Sequence, residues 1–224
     1  NPHTGAERIV DSEEGNIELM GPIKDGAGRW LARFYGARQP SEFVSLDPDA
    51  PDLDICKGLL GVWSRTKLRR ESSARAESIT WESIDGLEIQ GWLYRAKGEA
   101  RGTIVYVHGG PTAMSEDALS PEIQYYVSQG FNVLDPNYRG SVGFGLSFME
   151  SIKEDGWGGR EQEDIRFGIK HLMKLGVAKP NKVAMTGTSY GGYSSWHGVT
   201  HFSREELAAS VPICGMTDLV VDYE

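Results

Sequence analysis

A serine with glycines two places to either side, Gly187-Thr188-Ser189-Tyr190-Gly191, stands between a short apolar run, Val183 to Met185, and a stretch that reads as a helix. A strand that turns straight into a helix must double back within two or three residues. The apical residue is then forced into a strained backbone conformation with its side chain thrust outward, and a Cβ two places to either side would collide. Ser189 so held is a candidate nucleophile at the carboxyl end of a sheet, and the N–H of Tyr190 points to where an oxyanion would form. The five-residue pattern carries little weight alone in a chain with 28 glycines. A second loop strengthens it: His108-Gly109-Gly110-Pro111, directly after the apolar run Thr103 to Val107. Its glycines let the backbone approach a substrate carbonyl, which makes the Gly110 N–H the candidate second oxyanion donor, with Gly109 and His108 as substrate-loop candidates beside it.

A serine hydroxyl needs a base within hydrogen-bond reach, and the base needs an orienting carboxylate. In a sheet of this kind the chain order is Ser, then Asp or Glu, then His. After Ser189 come only His197 and His201, with no carboxylate between Ser189 and His201. On a helix from 190 to 201 they stand roughly 12 and 18 Å along the axis from Ser189, out of reach, at about 1.5 Å per residue. Both read as structural helix residues, and His108 reads as shaping its loop rather than acting as base. The acid and the histidine are therefore expected from residues beyond these, or from a second chain. Asn137-Tyr138-Arg139-Gly140-Ser141 ends another strand, and loops at the carboxyl ends of strands face the site in open α/β sheets. Tyr138 and Arg139 are thus open between substrate contact and a structural turn in which Arg139 enters an ion pair.

The elements that must position these groups follow in order. Ile17 to Met20, Trp30 to Tyr35 and Glu42 to Leu46 read as strands of an antiparallel module, closed by Asp47-Pro48-Asp49-Ala50-Pro51. Residues 61–75 read as a linker. Its local positive run, Arg65, Lys67, Arg69, Arg70 and Arg75, is either a solvated connector or a surface that draws an anionic substrate group. Ser78 to Ile84 and Leu87 to Tyr94 flank the hairpin signal Asp85-Gly86. Strands at 103–107, 131–134, 183–186 and 208–213 then alternate with helices at 121–129, 160–175 and 190–201, which predicts a mostly parallel sheet with helices on both faces. Gly176 marks the end of the second helix.

The 224 residues are 39% hydrophobic and 25% charged, as in globular proteins, and the net charge of −9 argues against a general nucleic-acid binder. No apolar stretch approaches a membrane span. Cys56 and Cys214 are too few for a disulfide framework or metal pattern, so they read as reduced, buried thiols in a cytoplasmic protein, and no cofactor or metal is expected. The chain begins at Asn1 with no visible signal segment and stops at Glu224 with no helix-ending signal, so both ends read as cuts through a longer polypeptide.

In these residues the chain resembles the prolyl oligopeptidase family of serine peptidases, in its acylaminoacyl-peptidase and dipeptidyl-aminopeptidase-like branch. The resemblance is carried by Asp85-Gly86-Leu87 to Tyr94, His108 to Pro111, Asn137 to Gly145, Gly156-Trp157-Gly158-Gly159 with Glu163-Asp164, and Gly187 to Tyr193, in the family's order. It implies the N-terminal part of an α/β-hydrolase domain over residues 76–224, preceded over residues 1–60 by a segment that looks like the last blade of a β-propeller. It also implies Ser189 as nucleophile of an acyl-enzyme, the Gly110 and Tyr190 amides as oxyanion hole, short peptides as substrates, and an acid and a histidine further downstream. A small-ester carboxylesterase on the same fold, or a non-catalytic hydrolase module, are the alternatives. A sheet ending near 208–213 would leave an open edge and an uncovered apolar face. Residues 1–224 expressed alone are therefore expected to aggregate or stay molten; light scattering and thermal melting check this, and a monodisperse, cooperatively melting monomer contradicts it.

Overall fold

The computed structural model describes residues 14–24, 26, 28–47, 57–62 and 70–219. The expected break at 48–51, Cys56, Arg65, Lys67, Arg69 and both chain ends lie outside these residues. The contacts divide the chain into two units: residues up to Ser73 with Asp117–Ser120, and Ala74–Glu116 with Pro121 onward.

The first unit is an antiparallel meander in the order β1 (Asn16–Pro22), β2 (Trp30–Gly36), β3 (Gln39–Leu46) and β4 (Lys57–Gly58). Buried Ala32, Val44 and Leu46 form its apolar interior. Two carboxylates stand in for strand pairing where the ladder ends. Buried Glu42 accepts from the amides of Leu60, Gly61 and Val62 at 3.2, 2.7 and 3.3 Å. Asp117 accepts from the amides of Gly15 and Ala37 at 2.8 and 2.7 Å, and its carbonyl accepts from Asn16 Nδ2 at 2.7 Å. The return of Asp117–Ser120 to this unit has no counterpart in the sequence pattern, because a single aspartate in a polar loop gives no long-range signal.

The second unit is a six-stranded sheet in the order β10-β9-β7-β8-β6-β5, formed by β5 (Glu77–Glu82), β6 (Glu88–Tyr94), β7 (Gly102–Val107), β8 (Phe131–Asn137), β9 (Val183–Thr188) and β10 (Ala209–Ile213). The pairs β8–β7, β7–β9 and β9–β10 are parallel; β5–β6 and β6–β8 are antiparallel. The expected short hairpin turn is longer than two residues. β5 ends at Glu82, and Ser83 to Leu87 form the loop, with the Ser83 amide donating to the Leu87 carbonyl at 2.9 Å and Gly86 at φ 82°. The Ser83 hydroxyl turns inward and donates to Asp164.

The helices are α1 (Pro121–Ser128), α2 (Leu146–Glu150), α3 (Arg160–Lys174) and α4 (Tyr190–His201), with a 3-10 turn at Ser151–Lys153. The chain steps one way from β7 to β8, then back to β9 and on to β10. Right-handed crossovers therefore put α1 on one face and α3 and α4 on the other. Side chains agree: Val105, Val107, Leu134 and Met185 share a buried cluster with Ile165, Ile169 and Leu172 of α3. On the other face Tyr106 donates to Glu122 of α1 at 3.0 Å. The reversal makes the carboxyl ends of β7 and β9 a topological switch point, where open α/β sheets bind ligands.

Asp135 is the buried acidic residue of β8, between buried Asn132 and Asn137. It accepts from Ser115 Oγ, and has its carboxyl pushed up to about 7 by burial, partly offset by that hydrogen bond. Its folded pKa lies above the unfolded carboxylate value, so stability falls as pH rises from about 4 to about 7 and levels off above. Asp135→Asn should remove that slope: little change in melting near pH 4, and a stabilisation bounded by about 4 kcal/mol above pH 7. Thermal melts of the full-length protein and its Asp135→Asn variant across that range check it, and parallel curves contradict it.

Candidate active site

β9 runs through Thr188 into Ser189, which has φ 57° and ψ −116°, and α4 begins at Tyr190. A positive φ at a residue with a Cβ is strained, and here the surroundings impose it. The Ser189 amide donates to the Ile213 carbonyl of β10 at 3.0 Å, and its own carbonyl accepts from the Tyr193 amide at 2.9 Å. The Ser189 side chain is exposed. Only glycine fits at two flanking positions, since a Cβ on Gly187 or Gly191 would stand 2.3 or 2.0 Å from the Val107 carbonyl oxygen of β7. The turn therefore folds back against the adjacent strand at van der Waals limits. The first amides of α4, Tyr190 among them, lack helical acceptors, and the helix dipole adds positive potential there.

Val107 pairs in register with Gly187, so the His108–Gly110 loop leaves β7 beside the elbow. A Cβ on Gly109 would lie 2.9 Å from the Thr188 carbonyl and 3.4 Å from Ser189 Cβ. Gly110 is exposed at φ 130°. His108 does not reach toward the serine hydroxyl as a base would; its Nε2 bonds Ser141 Oγ at 3.0 Å and its ring stacks on Tyr138 at 4.4 Å. Burial lowers its pKa.

Of the two readings open for Tyr138 and Arg139, substrate contact or a structural turn, the burial of both side chains favours the structural turn. Tyr138 donates its hydroxyl to the His108 carbonyl at 3.0 Å and so supports the loop from beneath. Arg139 is clamped by two carboxylates, with Nη2 at 2.8 Å from Asp164 and Nη1 at 2.8 Å from Asp85. The ion-pair reading of this turn is the one the geometry fits. Cys214, expected to be buried, is exposed among the described residues, in a left-handed turn at φ 48° after β10.

His197 and His201 lie on α4 with rings stacked at 3.9 Å. Burial, then the neighbouring His201 and Arg166, push His197 down to about 4. Among the described residues no group of three or more His, Cys, Asp or Glu is placed to hold a metal ion. Sequence reasoning missed Glu161, buried under the elbow, whose carboxylate accepts from the Tyr190 hydroxyl at 2.7 Å. Helical periodicity put it on α3 but gave no sign that a charged residue there turned inward.

The model of the prolyl oligopeptidase family matches residues 118–223, which include the elbow. Over these residues the chain is similar to members of the prolyl oligopeptidase family. Dipeptidyl aminopeptidase BIII of Pseudoxanthomonas mexicana is 34% identical over 116 residues, 52% of this chain and 16% of that protein. Acylamino-acid-releasing enzyme 1 of Oryza sativa subsp. japonica is 33% identical over 122 residues, 54% of this chain and 16% of that protein. The chain thus aligns with only a small fraction of these relatives' length. A solved acylaminoacyl peptidase in complex with Z-Gly-Gly-Phe-chloromethyl ketone superposes with a TM-score of 0.77 at 26% identity, covering 98% of this chain and 34% of that one. A puromycin-hydrolyzing peptidase of Mycobacterium tuberculosis, at 24% identity and a TM-score of 0.81 over 98% of this chain and 34% of that one, shares the fold. Together with the sheet topology, these likenesses identify the second unit as part of an α/β-hydrolase domain.

Breaking one side of the buried Arg139 clamp leaves the Asp164 charge without its cation. In the full-length protein Arg139→Met should destabilise the fold by about 3–5 kcal/mol, read as a drop in urea midpoint at unchanged slope; a change under about 0.5 kcal/mol contradicts the clamp.

Proposed function

We propose that Ser189 is the nucleophile of a serine peptidase that cleaves short peptides through an acyl-enzyme, in the manner of acylaminoacyl and dipeptidyl peptidases. The observation that carries this reading is an exposed serine at a strained strand-to-helix apex, with the glycine loop of β7 against it. In the proposed reaction Ser189 Oγ attacks the scissile carbonyl. The amides of Gly110 and Tyr190 take the developing oxyanion, which they stabilise more than the ground-state carbonyl. A histidine, oriented by an aspartate, takes the serine proton and returns it to the leaving amine; a water then releases the acyl group by the reverse path. We take that histidine and aspartate to come from residues outside this sequence, because His197 and His201 stand about two and three turns along α4 from Ser189.

Peptides as substrates follow from the family and from the relatives' activities, namely dipeptidyl aminopeptidase and acylamino-acid release. We take residues 1–60 as the end of a propeller-like domain, 61–75 as linker and 76–224 as part of the catalytic domain. We place the protein in the cytoplasm on its cysteine content; among the described residues no helix is long and apolar enough to cross a membrane.

In the full-length protein a fluorophosphonate probe should label Ser189, and Ser189→Ala should abolish labelling and lower kcat/KM on acylated or dipeptidyl anilides by about 10⁴-fold or more. Equal labelling of the Ser189→Ala protein overturns the assignment.

A further inference from the structure

We propose that Glu161 is a positioning residue for the oxyanion hole: by holding the Tyr190 hydroxyl it fixes the start of α4, and with it the Tyr190 amide. This rests on the reading of Ser189 as nucleophile.

Glu161 lies in the first turn of α3 and is fully buried. Its Oε1 accepts from the Tyr190 hydroxyl at 2.7 Å, the Gly158 amide at 2.5 Å and Gln162 Nε2 at 3.0 Å. The Gly158 amide also lies 3.1 Å from the Tyr190 hydroxyl oxygen, which closes a triangle between the α3 entry and the elbow. The Tyr190 ring is boxed by Tyr138 at 6.2 Å, Tyr193 at 5.5 Å and the edge-on Trp157 at 5.8 Å. Glu161 Oε2 has no hydrogen-bond partner among the described residues, and no cation among them pairs with the carboxylate.

A buried carboxylate with one oxygen unbonded and no cation costs stability; an apolar residue of the same volume would favour the fold more. Groups that break the local rules at a cost are expected where function needs them. The need here is geometric. Ser189 is held in a conformation its own backbone disfavours, so the elbow relaxes unless something beyond it is fixed. Tyr190 is the next residue, and its ring and amide share one Cα. Burial and the nearby Glu161 hold the Tyr190 hydroxyl well above the usual phenol range, so it stays a donor to Glu161. An oxyanion donor must lie about 2.7–3.1 Å from the developing charge, and a misplacement of about 1 Å can cost roughly a hundredfold in rate.

The test uses the full-length protein, measuring steady-state kinetics on one peptide substrate and the rate of phosphonylation at Ser189. Glu161→Ala should lower kcat at least tenfold with KM within twofold, and slow phosphonylation by the same factor. Glu161→Gln keeps an oxygen acceptor and should recover to within threefold of wild type. Tyr190→Phe should match Glu161→Ala, and the double variant should be no slower than either single one, because both cut the same link. A folded Glu161→Ala protein that phosphonylates at the wild-type rate, or losses that multiply in the double variant, overturn the proposal. Should Glu161→Ala fail to fold, Tyr190→Phe, which keeps the ring, decides alone, with wild-type reactivity overturning it. Wild-type protein unlabelled at Ser189 removes the nucleophile reading and this inference together; labelled wild type with equally reactive Tyr190→Phe removes only this inference.

Discussion

The site depends on how closely the turn after β9 lies against β7. The Val107 carbonyl oxygen sits where a Cβ of Gly187 or of Gly191 would be, within 2.3 and 2.0 Å. That approach exists because β7 and β9 are parallel neighbours in register, Val107 opposite Gly187. With the glycines in place the chain reverses in two residues and Ser189 is left outside the turn. Replace either and the reversal widens, the serine drops from the apex, and the loop of β7 loses its neighbour. The parallel pairing, the glycine spacing and the exposed hydroxyl are one constraint seen at three scales.

Around that contact the molecule uses buried polar groups as struts. Arg139 ties the carboxyl end of β8 to the β5–β6 loop through Asp85 and to α3 through Asp164. Tyr138, one residue earlier, props the His108 carbonyl, and Ser141 holds the His108 ring. The segment after β8 therefore frames the H-G-G loop from behind while the elbow flanks it from the side. Paired and hydrogen-bonded charges of this kind add less net stability than apolar packing would. What they confer is a fixed arrangement of loops that carry little regular structure of their own.

Much of this was legible in the sequence because it is written in short-range patterns. Glycine spacing located the elbow, apolar runs located β7 and β9, and the 3.6-residue period of Ile165, Ile169 and Leu172 located α3. What stayed hidden depends on partners far along the chain. Arg139 looks the same in sequence whether it faces a ligand or Asp164, and only the fold brings the two to 2.8 Å. Asp117 and Glu161 are acidic residues in polar surroundings whose inward turn no periodicity announces. α2 is five residues long, too short for a helical period to appear.

On the proposed reading one hydroxyl faces two amides from separate loops. The most direct test is a crystal structure of the full-length protein phosphonylated at Ser189. The account predicts the phosphonyl oxygen about 2.7–3.1 Å from both the Gly110 and the Tyr190 nitrogens. A phosphonyl oxygen turned away from both amides, or an adduct on any other residue, would contradict it.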